Sequence, residues 1–324
     1  MLRGKGCEDN VSGSYNGRNG VQAIALSDGA GSVKYAATGS EITSRTAAEL
    51  LAKDFDIIYS LEDSIAADFI LRGILRELYR KAEEDDGILY DYDATLLCCA
   101  LHPDGRYLIF HVGDGSVVGL KKNGTCEAVS LYEHDGPVNH TTFVTVHNTE
   151  YNLIKGKGDY ISFMLMSDGS SDLLTNKVFV SRNVVDQMQM SFFLPRDAMC
   201  VELDALANMI QTERPDADDD MSFAILSDKR AAFSVLPFLP EEWQEDFLSM
   251  LSAEGTEKHK DREAKILELL DMFPDGISLA HMTRALRLHK PIITRRKVSS
   301  LISCGLIKYR KGFYTSANNT ETED

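Results

Sequence analysis

Three segments of the chain end an apolar run in the same way. Ala23-Ile-Ala-Leu-Ser-Asp28-Gly29, Leu108-Ile-Phe-His-Val-Gly-Asp114-Gly115 and Phe163-Met-Leu-Met-Ser-Asp168-Gly169 each place a small residue and then Asp-Gly directly after a strand-like run. One Asp-Gly is an ordinary turn. Three at the ends of buried strands have a second use. A strand end holds a carboxylate rigidly, and Gly lets a backbone carbonyl approach a ligand closely. Two acidic clusters flank the set. Glu8-Asp9 precedes an expected strand, and Asp218-Asp219-Asp220 comes immediately before the apolar Met221–Leu226. An acidic triplet is by default a solvated loop. The strand that follows lets at least one of its carboxylates turn into a shared cleft. Oxygen-only ligands suit Mg²⁺ or Mn²⁺ rather than zinc, and no His-Cys cluster competes. Two such ions about 3.5–4 Å apart clamp a phosphoryl group and generate a hydroxide for in-line attack.

The elements that must position these groups are legible over residues 1–230. Val21–Leu26, Ala94–Leu101, Tyr107–Val112, Val117–Leu120, Phe143–Val146, Ile161–Met166 and Met221–Leu226 read as strands. His102-Pro-Asp-Gly-Arg106 is a hairpin signal between two of them. Helical spacing runs through Gly39–Phe55, Ser64–Glu84, Asn183–Phe192 and Arg196–Glu213. Helices inside a strand-rich sequence imply helices packed outside antiparallel sheets.

Beyond residue 230 the character changes. Residues 231–261 read as a linker with one short helix, broken by Leu236-Pro-Phe-Leu-Pro240. Residues 262–316 read as a separate small domain of three helices and a hairpin, similar to a winged helix, and residues 317–324 as a disordered polar tail. Ser278 is the expected N-cap of the helix Leu279–Leu286. Arg295, Arg296 and Lys297 fall at the start of the third helix, the usual major-groove reader. Lys308, Arg310 and Lys311 fall on the wing, near phosphates. Docking on a protein, including the acidic first domain, is the rival use of such a module.

The chain has 324 residues, enough for two domains, with 44% hydrophobic and 26% charged residues. These values exclude collagen-like and wholly disordered classes. The net charge of −16 argues against a general nucleic-acid or anionic-membrane binder. Residues 277–317, however, hold nine basic and no acidic residues. Without those nine, 25 basic residues remain against 50 acidic, a net −25. The opposition to nucleic acid therefore belongs to the rest of the chain. No apolar run approaches the roughly 20 residues that span a bilayer, so no membrane partner is expected. Six scattered cysteines, with no CxxC, read as reduced thiols of a cytoplasmic protein.

The order Glu8-Asp9, Asp28-Gly29-Ala30-Gly31, Thr95-Leu96, Val112-Gly-Asp114, Ser167-Asp-Gly169 and Asp219-Asp-Met-Ser222 resembles the metal-dependent protein phosphatases of type 2C, from about Gly4 to Ser227. The resemblance implies an α+β fold, an αββα sandwich of two central antiparallel sheets flanked by helices, with metals at one end. It implies hydrolysis of phosphoserine and phosphothreonine in a phosphoprotein substrate, opposed by a cognate Ser/Thr kinase, with two Mn²⁺ or Mg²⁺ ions and a third weaker one. Carried over by position, Asp28 bridges both ions and the Gly29 carbonyl binds one. Glu8 is an acidic ligand, and Asp9 holds metal-bound water. Asp168 and Asp219 complete the other ion, and Asp114 takes the third. Asp219 is preferred to Asp220 because it stands three residues before Ser222. Asp28, Asp168 and Asp219 are thus the catalytic set.

Three departures bear on function. The family's phosphate-gripping Arg falls at Gly4, with Arg3 and Lys5 as the neighbouring replacements. A family His that acts as general acid after Asp-Gly is here Ala30, so the leaving group needs another proton source. Gly31-Ser32 replaces a Gly pair, and Asp114 is followed by Gly-Ser rather than Ser-Arg. None removes a metal ligand. A phosphatase with a basic docking module is the reading. Its rival is a nucleic-acid-binding regulator whose phosphatase-like domain senses a ligand without turnover. His111 reads as a structural strand histidine.

Overall fold

The fold is that of a computed structural model, which describes residues 6–131, 141–213, 219–241, 243–244, 266, 269–270, 272–273, 276–285, 298, 302, 307–310 and 313–316. The chain divides into two compact units, Met1–Asp228 and Lys229–Asp324.

The first unit contains two antiparallel sheets. β1 (Asp9–Tyr15), β2 (Gln22–Asp28), β3 (Leu96–Leu101), β4 (Arg106–Val112) and β7 (Asn152–Lys157) form one, in that spatial order. The other has the order β6 (Cys126–Leu131), β5 (Ser116–Lys121), β8 (Tyr160–Met166), β9 (Phe223–Ser227). The α+β class and the two flanked sheets expected from the sequence are present. Period-two alternation explains how the first sheet is buried on both faces. Leu97 and Cys99 of β3 turn toward Phe163 and Leu165 of the facing sheet, whereas Cys98 and Ala100 turn toward the helices. The run Leu-Leu-Cys-Cys-Ala-Leu is continuously apolar for that reason.

α1 (Ala36–Ser60) and α2 (Asp63–Glu84) cover the outer face of the first sheet. They bury Leu51, Phe55, Ile58, Ile70, Ile74 and Leu78 at the spacing of one helical stripe. α3 (Asp168–Leu174), α4 (Arg182–Met190) and α5 (Arg196–Glu213) belong to the second sheet's side. There the Cys126 thiol reaches the Met188 sulfur at 3.6 Å, joining β6 to α4.

Two expectations of detail change. Phe143–Val146 forms no strand but a turn, with the Val146 N–H donating to the Phe143 carbonyl at 3.1 Å. It is anchored by buried Val144, whose N–H donates to the Ala94 carbonyl at 3.0 Å, and by buried Thr145, whose hydroxyl donates to Asp93. Strands β6 and β7 instead arise from Cys126–Leu131 and Asn152–Lys157. Both lie at sheet edges and are only part-buried, so neither carries the apolar run that marks a central strand.

In the second unit, the helix Leu279–Ala285 is capped by Ser278, whose hydroxyl accepts from the His281 N–H at 3.3 Å. β10 (Ile307–Arg310) and β11 (Phe313–Ser316) pair antiparallel, and Ile277 bridges to Tyr314. Ile266, Leu269, Leu270, Phe273, Met282 and Ile307 are among its buried residues. Among the described residues no helix is long and apolar enough to cross a membrane.

Candidate metal centre

The acidic groups gather where β1 and β9 begin and where β2, β4 and β8 end. Asp9 pairs with Asp28 in the β1–β2 ladder, so the two side chains share one face. Leu26, two residues before Asp28, pairs with Leu97, and both lie in the core between the sheets. The Asp28 carboxylate therefore emerges at the end of the gap between the sheets. Asp168 follows β8 and opens α3, where its Oδ1 accepts from the Gly169 N–H at 2.7 Å. Asp219 stands before β9 and accepts from the Asp220 N–H at 3.0 Å.

Serines lock the last two segments together. Ser167 Oγ accepts from the Ser222 N–H at 3.0 Å, and the Ser170 hydroxyl donates to the Ser222 carbonyl at 3.2 Å. Asp28, Asp168 and Asp219 each then offer a carboxylate oxygen, all within 4.8 Å of one another.

The carboxyls of this cluster are crowded together and raised, chiefly by burial. Burial, reinforced by Asp9, Asp168 and Asp219, pushes the Asp28 carboxyl up to about 10. Burial with Asp114 and Asp219 pushes Asp168 up to about 7. Asp9 and Asp219 also rise, burial being the main cause. Asp9 is 8% exposed, and neither of its carboxylate oxygens has a hydrogen-bond partner. A buried carboxylate left so is costly unless a cation meets it. The donor set is oxygen only and rich in charge, which fits hard divalent ions such as Mg²⁺ or Mn²⁺.

The remaining acidic candidates surround this core. Asp220 does not join the three converging carboxylates. Its Oδ2 accepts from the Glu8 N–H at 2.8 Å and so ties the β9 approach to the start of β1. The Glu8 carbonyl accepts from the Ser40 hydroxyl at 2.5 Å and from the Gly29 N–H at 3.2 Å. A Cβ on Gly31 would stand 3.1 Å from Glu8 Oε2, so the Glu8 carboxylate overlies the loop after Asp28. Gly29 has no room for a side chain, since a Cβ there would collide with the Ala36 carbonyl. Asp114 accepts from the Thr141 hydroxyl. Gly113, just before it, has φ 93°, and a Cβ there would strike Thr95.

Thr95 itself supports Asp28, accepting its N–H at Oγ1 over 3.0 Å and donating its own N–H to the Asp28 carbonyl at 2.8 Å. The supporting roles of Ser40, Thr141 and Ser170 carry no distinctive local pattern, because their partners lie far away in sequence. His111 is buried and held neutral, with its imidazole pushed down to about 4 by burial. Its Nδ1 lies 2.7 Å from Ser130 Oγ and links the two sheets. Arg3 and Lys5 lie outside the described residues, as do Arg295, Arg296, Lys297 and Lys311. Lys308 is exposed on β10, the strand that ends at Arg310.

No curated protein matches the chain. Solved structures with similar coordinates include the serine/threonine phosphatase Stp1 from Staphylococcus aureus, at 17% identity and TM-score 0.48, covering 70% of this chain and 91% of that one. They also include PppA, described as a regulatory component of T6SS in Pseudomonas aeruginosa, at 19% identity and TM-score 0.43, covering 68% and 90%. A third is RsbX in complex with magnesium, at 11% identity and TM-score 0.39, covering 69% and 88%. The assignment rests on the sequence pattern of one family, protein phosphatase 2C, which matches residues 2–203. The chain belongs to the protein phosphatase 2C family.

Proposed function

We propose that the chain is a metal-dependent protein serine/threonine phosphatase whose centre is held by Glu8, Asp9, Asp28, Gly29, Asp114, Asp168 and Asp219. The observation that carries this reading is the convergence of Asp28, Asp168 and Asp219 beside an Asp9 whose buried oxygens lack partners. Asp28, Asp168 and Asp219 would hold the principal ions, Asp9 would orient water there, and Asp114 would serve a weaker third site. When bound, Mn²⁺ or Mg²⁺ neutralises phosphate charge and lowers the pKa of water for attack. The chain's own part is to fix the carboxylates on strand ends, so that substrate meets a preset geometry. Arg3 or Lys5 supplies the grip on the phosphate. The substrate is a phosphoprotein made by an opposing Ser/Thr kinase.

The test is Mn²⁺-dependent hydrolysis of an aryl phosphate and of a phosphothreonine peptide. Asp28→Asn should bring both to the buffer rate. Equal rates in the native and variant proteins would sink the catalytic reading and favour a sensor domain without turnover.

A second property rests on the C-terminal charge. Nine basic and no acidic residues lie within 277–317. Exposed Lys308 stands on a two-stranded hairpin there. A winged-helix module that binds DNA through Arg295, Arg296, Lys297, Lys308, Arg310 and Lys311 accounts for that segregation, with docking on an acidic protein surface as the competing outcome.

A further inference from the structure

Position 30 carries only a methyl group, so no side chain there protonates a departing alkoxide. The structure places a carboxyl opposite it. Strand pairing continues beyond the ends of β2 and β3. Thr95 bonds to Asp28, Gly29 bridges to Ala94, and the Ala30 N–H donates to the Asp93 carbonyl at 2.9 Å. Side chains on an antiparallel ladder alternate faces, and partners share a face. Ala30 and Asp93 therefore fall on the same face as Asp28 and Thr95, the one that carries the carboxylate cluster. Asp93 lies two residues outward of Thr95, roughly 7 Å farther along the strand.

That offset matches the chemistry. In-line displacement puts the leaving oxygen on the far side of phosphorus from the attacking one. With attack from the cluster, the leaving oxygen faces the rim where Asp93 stands. Asp93 is part-buried, and the Thr145 hydroxyl donates to its Oδ1.

We propose that Asp93 is the general acid of this protein, protonating the departing serine or threonine oxygen in place of a side chain at position 30. The inference rests on the phosphatase reading. In the step, a water oxygen forms the new bond to phosphorus and one of its protons passes to solvent. The bond from phosphorus to the serine or threonine oxygen breaks, and its electron pair stays on that oxygen. This oxygen takes the proton of the Asp93 carboxyl. The carboxylate left behind regains a proton from solvent, and the products are phosphate and the free hydroxyl. Burial raises the Asp93 carboxyl above the ordinary range, Thr145 opposes the rise, and Asp91 is the titratable neighbour that adds to it. A raised carboxyl is suited to giving a proton near neutral pH.

The test compares two leaving groups at saturating Mn²⁺. A phosphothreonine peptide leaves as an alkoxide and needs the proton, whereas p-nitrophenyl phosphate leaves as a stable phenolate. Asp93→Asn should cut peptide turnover by about 10²–10⁴-fold while the aryl rate stays within about threefold. Unchanged peptide turnover, or equal losses on both substrates, would overturn the acid role and leave the phosphatase reading standing. A native protein that hydrolyses neither substrate overturns the phosphatase reading and this inference with it.

Thr145→Val keeps Asp93 in place and supplies an independent readout. It removes a donor that favours the charged carboxylate, so the alkaline limb of the peptide kcat profile should move to higher pH. A limb that stays fixed counts against Asp93.

Discussion

Asp9 and Asp28 face each other across the first residue of one strand and the last of the next, and burial raises both carboxyls. A residue in that position does more for binding than for folding. The unfolded carboxyl of Asp28 titrates near its ordinary value of about 4, and in the metal-free fold it rises to about 10. Below the unfolded value both states hold the proton and nothing is lost. Above it the unfolded chain ionises first, so stability falls progressively as pH rises toward the folded value. Without metal, the native protein should therefore melt at lower temperature at pH 8 than at pH 5. Asp28→Asn should melt above the native protein at pH 8, with the gap closing toward pH 5. Added Mn²⁺ should raise the melting temperature of the native protein far more than that of the variant. Scanning calorimetry in EDTA and in Mn²⁺ checks all three, and a variant that melts lower in EDTA contradicts the arrangement.

At the scale of elements, the site is a consequence of where strands stop. β2, β4 and β8 are apolar because they are buried, and each ends in a small residue and Asp-Gly because the sandwich ends there. That made Asp28, Asp114 and Asp168 legible from a few consecutive residues. The edge strands β6 and β7 were not legible, since their half-exposed faces dilute the pattern. The segment Phe143–Val146 has a strand's composition but forms a turn, with one backbone bond from Val144 to Ala94 and no ladder. Close packing of elements also sets a cost at Gly29. Gly29→Ala puts a methyl into the Ala36 carbonyl, and the expected loss is about 1–3 kcal/mol of unfolding free energy, as for other overpacked sites. Urea denaturation of the metal-free protein measures it. A loss under about 0.5 kcal/mol, the ordinary range for surface changes, would show that α1 gives way easily.

At the scale of the whole molecule, the net charge of −16 is the sum of two opposed parts, and the basic one is confined to residues 277–317. If that segment binds DNA, affinity should fall with salt at a log–log slope near −0.9 per phosphate neutralised. Changing Arg295, Arg296 and Lys297 to Ala should flatten the slope, and Lys308→Ala should flatten it by about 1. Binding that is insensitive to salt, measured by fluorescence anisotropy, would turn the module toward protein docking. The amino-acid sequence by itself determined the ligand chemistry, the succession of strands and helices and the segregation of charge, because each is written in residue types within a few positions or in their sum, while the sandwich was what the family resemblance implied. Only the tertiary structure decided how the surrounding groups hold these carboxylates. It turned Asp220 onto the Glu8 backbone, away from the Asp219 that its place before Ser222 had already favoured, and set Asp93 across from Ala30. These are contacts between residues far apart along the chain, fixed by strand register rather than by any local pattern.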